Sequence, residues 1–181
     1  MSLSTEKEMQ ISIAIGAINI QINRMKKGLK EITPRIEKLH RDGFHIEAVI
    51  VNGQLVEHAL KLTLRVFQFK RMIANILNLP DPYKGKPSTE GFEKKEMGKL
   101  IDIFKKIEGT SDLTKELDNF KDLYRNDYVH HIFDGSHDLK EEDQKAKQYL
   151  SSFDFAGMVL GIVSVHLRVQ QEVNQLLARH A

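Results

Sequence analysis

The sequence predicts an all-α protein, an up-and-down bundle of about five helices in one domain over residues 1–181. Three observations predict it. Apolar residues recur at three- and four-residue spacing over long stretches, the period of one helix face. Three of the four prolines crowd into residues 80–87, so helix-stopping chemistry is confined to one place. The one strand-like alternation, Ile11, Ile13 and Ile15, is overruled by a longer helical pattern around it.

That pattern is Ile11, Ile15, Ile18, Ile22, Met25, Leu29 and Ile32, with Ile13, Ala17 and Ile20 expected to widen the apolar face. Ser4 or Thr5 suits the cap of this first helix, with acids in the first turn. Thr33-Pro34 is expected to bend or restart it before Asp42-Gly43 ends it. Residues 44–78 read as a second long helix with two stripes. Ile46, Val49, Gly53, Val56, Leu60, Leu64 and Phe67 form one; Ala48, Val51, Leu55, Ala59, Leu62, Val66, Phe69 and Ile73 form the other. A helix apolar on two sides belongs at the centre of a bundle or against a second subunit. Gly53 weakens it by up to ~1 kcal/mol relative to Ala, which close packing of a neighbour explains. Residues 79–88 are the loop, long enough for a functional or mobile segment. Phe92–Ile107 reads as a shorter helix with Met97, Leu100, Ile101, Phe104 and Ile107 inward. Ser111 starts the next, whose core stripe is Leu113, Leu117, Phe120, Tyr124 and Tyr128. Residues 138–181 form a last helical region, polar at first, then strongly apolar, with a kink expected at Ser151-Ser152.

Composition narrows the function. The chain has 181 residues, 41% hydrophobic and 29% charged, enough for a real core. With no cysteine there is no disulfide, thiolate metal site or cysteine nucleophile. No apolar run approaches the roughly 18 residues of a membrane span, and the first eight residues carry acids and no apolar core. The expectation is a cytoplasmic protein without a membrane partner. A net charge of +2 does not by itself call for nucleic acid. His40 and His45 flank a turn without the carboxylates that would complete a metal site, so neither a metal nor a cofactor is expected.

The segment with the most chemistry is Leu123–His131, which contains Arg125-Asn126-x-x-x-His130. On a helix, Asn126 and His130 stand on one face. Arg125 starts about 140° away at roughly 100° per residue, but its side chain is long enough to curl back. An imidazole that moves protons near neutral pH, a permanent planar cation and an amide together suit work on a phosphodiester. Arg35 and His40 repeat the Arg–His spacing without the Asn and read as coincidence.

The trio resembles the R-N-x-x-x-H motif of the HEPN superfamily, small all-helical ribonucleases of toxin–antitoxin and abortive-infection systems. Its place also matches, in the last third of the chain, late in a helix and before Asp134-Gly135. The resemblance implies metal-independent RNA cleavage, in which a ribose 2′-hydroxyl attacks phosphorus and leaves a 2′,3′-cyclic phosphate. It makes His130 the general base or acid, Arg125 the stabiliser of transition-state charge, and Asn126 the residue that orients His130 or the phosphate. It also implies a homodimer with two motifs facing one cleft, built on apolar surplus of the second or last helix, and an antitoxin protein as a further partner. One feature departs from the toxin subgroup: the Tyr two residues after the motif histidine is absent, since His131-Ile132 follows His130. The alternative is a catalytically inactive HEPN-like module that dimerises or binds a partner.

Several residues carry lesser expectations. Glu57 is an auxiliary candidate to orient the catalytic pair, or an interhelical polar contact. Lys61, Arg65, Lys70 and Arg71 on the same helix are candidates for RNA phosphates. Residues 24–41 hold seven Lys/Arg against two acids, a better backbone track than residues 134–143 with five acids against one Lys. His131 is expected to pack, and His166 to be a core or interface histidine. Glu6, Glu8, Glu141, Glu142 and Asp143 are expected to be solvated. Met9, Met25, Met72, Met97 and Met158 are expected to fill the core.

Overall fold

The computed structural model describes residues 5–123 and 138–180. Among them the chain forms six α-helices and no strand, an all-α helical bundle as its apolar period predicts. Helix α1 spans Thr5–Arg41 and α2 spans His45–Ile76. After the loop come a 3₁₀ turn, Phe92–Lys94, and α3, Met97–Glu108. Helices α4 (Asp112–Leu123), α5 (Leu139–Ser152) and α6 (Phe155–His180) complete the order.

Helix α1 buries Ile11, Ala14, Ile18, Ile22 and Met25. Ile13 and Ile20 do not widen that face: they are 64% and 54% exposed, as is Met9 at 59%. At 100° per residue they lie roughly 130–170° round the helix from the buried stripe, too far to reach the same neighbours. The helix continues through Pro34 rather than restarting. Pro34 and Lys30, whose carbonyl loses its donor, are both exposed, so water can replace the lost bond. The helix closes where expected. Gly43 takes φ +85°, and the Phe44 N–H reaches back to the Leu39 carbonyl at 2.9 Å.

Helix α2 is the axis of the bundle, packing against α1, α3, α5 and α6. Its two stripes are both consumed inside the chain; Val56, Leu60, Leu64, Val66, Phe67 and Ile73 are all but inaccessible, and Gly53 is buried. Phe104 on α3 tilts against Phe67, their centroids 6.3 Å apart. Phe92 is fully buried but is not part of α3. Five residues separate it from Met97, which would place the two about 140° apart on one helix. The chain instead breaks at Lys95-Glu96, both extended, so each apolar side chain reaches the core.

The predicted kink in the last region is a break, one to two residues beyond Ser152, and α5 and α6 meet at 52°. Asp154 opens α6, its Oδ1 accepting the Gly157 N–H at 2.8 Å. A side chain at 157 would collide with that carboxylate, since an added Cβ would lie 2.2 Å from it. Phe120, Phe153 and Phe155 cluster at the corner. Among the described residues no single helix is long and apolar enough to cross a membrane.

Of the five methionines expected as filler, Met25, Met97 and Met158 are buried, while Met9 and Met72 are exposed.

Candidate functional site

Arg125, Asn126 and His130 lie outside the described residues, as do Tyr128 and His131. The structure describes the helices on either side. Helix α4 starts with a reciprocal cap: the Ser111 N–H donates to Thr114 Oγ1 at 2.8 Å, and the Thr114 N–H donates to Ser111 Oγ at 3.2 Å. Leu117 and Phe120 bury its inner face, and the Leu113 side chain fits against Gly161 of α6, where an added Cβ would approach it to 2.9 Å. On the far side, Asp138 caps α5 by accepting the Lys140 N–H at 3.0 Å.

Glu57 is bound to Lys61 one turn on, 2.6 Å from Oε1 to Nζ. The four cations proposed for phosphates are each engaged within the chain. Besides the Lys61–Glu57 pair, Arg65 meets Glu93 at 3.3 Å and lies over the Phe92 ring. Lys70 meets Glu172 of α6 at 2.5 Å. Arg71 donates to Asp81 at 3.0 Å and to the Tyr83 carbonyl at 3.0 Å. These last bonds hold the proline-rich loop on α2. The Tyr83 N–H also binds Asp81, and the Tyr83 ring stands edge-on to Phe67 with centroids 5.3 Å apart. The Tyr83 N–H, and then Arg71, hold the Asp81 carboxyl below its ordinary pKa. Replacing Arg71 with methionine is expected to loosen the loop and lower the melting temperature, since the bonds to Asp81 and to the Tyr83 carbonyl are both lost. Tryptic cutting after Lys84 should rise; unchanged cutting would show that apolar packing alone holds the loop.

The basic face of α1 is different. Arg24, Lys26, Lys27, Lys30, Arg35, Lys38 and Arg41 are all exposed. Among the described residues, only Lys27 has a carboxylate nearby, Glu31 at 3.8 Å. At 100° per residue the seven fall within about half the helix circumference, opposite the apolar stripe, along roughly 27 Å of axis. A linear polyanion can follow such a face without displacing an internal ion pair.

No family model matches the chain, and no curated protein or solved structure matches it.

Two carboxylates expected in solvent are built into the structure. Asp143 of α5 caps α2 from 98 residues away. It accepts the His45 N–H on Oδ1 at 3.2 Å, while His45 Nδ1 lies 2.9 Å from Oδ2. Phe44, at the cap position itself, has no side-chain oxygen to offer. Burial opposes ionisation of Asp143, but the His45 ring and the backbone N–H groups of His45 and Ile46 outweigh it and hold the pKa low. Glu142 is only 2% exposed and binds Lys145 at 3.0 Å. No local signal in the sequence marks Asp143, because its partner His45 comes from the tertiary fold, whereas Glu142 pairs with Lys145 three residues on. His40 stands edge-on to His45 at 5.3 Å. Among the described residues no three His, Asp or Glu side chains converge as a metal site. His166 is fully buried, as expected, with neither ring nitrogen hydrogen-bonded.

Proposed function

We propose that the protein is a metal-independent endoribonuclease of the HEPN type, a toxin or phage-defence effector acting as a homodimer on RNA. The observation that carries this reading is the Arg125-Asn126-x-x-x-His130 sequence, placed between α4 and α5 of an all-α chain. His130 exchanges the proton of the ribose hydroxyl or the leaving oxygen, and Arg125 neutralises charge gathering on phosphorus. One histidine is poorly suited to be base and acid in the same step, so a second copy supplies the complementary group. For pairing, α6 is a better surface than α2: Leu160 and Leu167 are exposed at seven-residue spacing, whereas the stripes of α2 are occupied.

In this reading the RNA backbone follows the outer face of α1. The triple change Lys26→Glu, Lys30→Glu and Arg35→Glu is expected to weaken binding of a single-stranded RNA at least tenfold at low salt. The log–log salt slope should fall by about 2, at roughly 0.7 per phosphate contact. Lys61→Ala and Arg65→Ala, whose cations already serve Glu57 and Glu93, should change binding less than about twofold. Equal losses from both sets, measured by anisotropy across a salt series, would move the track off α1.

Incubating the purified protein with mixed RNA in EDTA tests the activity itself. The expected products end in 2′,3′-cyclic phosphate and 5′-hydroxyl. A folded dimer that leaves every RNA intact, tRNA included, would favour the catalytically inactive module.

A further inference from the structure

A cleft of about 500 Å³ opens between the second half of α1, the first half of α2 and the corner where α5 meets α6. Its size is that of a small-molecule site. Leu29 and Ile36 form one wall, Leu55 the floor, and Leu150, Phe153 and Val159 the other wall. Among these apolar groups lies Asn52 of α2. It lines the cleft, is only 6% exposed, and has no hydrogen-bond partner among the described residues. Its carboxamide opens onto the cleft, where it can pair with whatever enters.

Charge at the mouth limits what can enter. Thr33, Glu37, His40 and Asp154 are the other polar residues of the lining, and no lysine or arginine is among them. A phosphate or carboxylate would face two carboxylates with no permanent cation to offset them. We infer that this cleft binds a small, mostly apolar molecule, uncharged or cationic, whose carbonyl or amide group hydrogen-bonds Asn52. The lining shares Leu160 with the face proposed for pairing but includes none of Arg125, Asn126 and His130, so binding here is measured apart from the cleavage chemistry.

The test titrates the full chain with prodan, a neutral naphthalene bearing a carbonyl. The expected result is saturable binding of one prodan per chain with blue-shifted emission. Ala156→Trp places an indole from an exposed position into the cleft and should weaken binding at least tenfold without altering the helical circular dichroism. Asn52→Leu should keep the fold, melt no lower than wild type and bind prodan about tenfold more weakly. Its bound emission should also lie further to the blue, because the carbonyl has lost its hydrogen bond. The anionic probe 1-anilinonaphthalene-8-sulfonate should bind at least tenfold more weakly than prodan. Absence of saturable prodan binding would overturn the inference, as would equal affinity in Ala156→Trp or equal emission in Asn52→Leu. A shift of oligomeric state in Ala156→Trp, read by light scattering, would reassign the cleft to a second copy of the chain.

Discussion

His130→Ala is expected to lower RNA cleavage by about 10²–10⁴-fold, the usual contribution of one positioned proton-transfer group. Single-turnover cleavage of an RNA that the wild type cuts would read this effect. The helical content and melting temperature should stay near wild type, as a proton-transfer role for His130 requires. Arg125→Lys is a sharper companion. It keeps the charge but removes the planar donor fork, so cleavage should still fall while RNA binding changes little. Unchanged cleavage in His130→Ala would remove the motif from the chemistry and point to a different site or a contaminating nuclease. Cleavage lost together with binding in both variants would make the motif a docking element.

His166→Leu is expected to flatten the acid limb of the stability curve. Burial pushes the His166 pKa down to about 4, from the ordinary 6.5. The unfolded chain takes up this proton below about pH 6.5, whereas the folded chain does so only near pH 4. Between those values the unfolded state binds more protons, so stability is full above about 6.5 and drains away as the pH falls toward 4. A shift of this size corresponds to about 3 kcal/mol across the window. Leucine neither titrates nor leaves the two buried ring nitrogens unpartnered, so the variant should also be no less stable at neutral pH. Urea denaturation at half-unit steps from pH 7.5 to 4 gives both curves. Asp143 acts in a separate window: its depressed pKa contributes stability that is lost only at lower pH, as the carboxyl protonates through its folded value. Parallel wild-type and His166→Leu curves between pH 6.5 and 4 would show that His166 does not remain neutral in the folded chain.

Much of the architecture can be read from local chemistry. The Asp42-Gly43 stop, the Ser111 start and the apolar stripes of α2 follow from residues within a turn or two of one another, and the structure places them as expected. Readings that depended on which neighbour a residue meets fared differently. Ile13 and Ile20 look like core residues by composition, yet they point away from every partner helix. Glu142 and Asp143 look like surface acids, yet Glu142 is buried beside Lys145 of its own helix and α5 carries Asp143 to the start of α2. Lys61, Arg65, Lys70 and Arg71 look like a phosphate track, yet each meets a carboxylate or carbonyl supplied by its own helix, the loop, the turn at Phe92–Lys94 or α6. Asn52 is an ordinary polar residue in the sequence; only the meeting of α1, α2 and the α5–α6 corner puts it inside a cleft.

The sequence by itself determined the helical class and most helix ends, and it singled out the segment proposed for phosphodiester cleavage. Helix period, proline placement and capping are local properties, set by sterics and hydrogen bonds within a few residues. Only the tertiary structure decided which charges are free and which are engaged, and where an unpartnered polar group is enclosed. Those outcomes depend on pairs some 20 to 100 residues apart, such as Arg65 with Glu93 and His45 with Asp143. A charge that finds such a partner is engaged within the fold, and a charge that meets none among the described residues, as along the outer face of α1, stays available to bind.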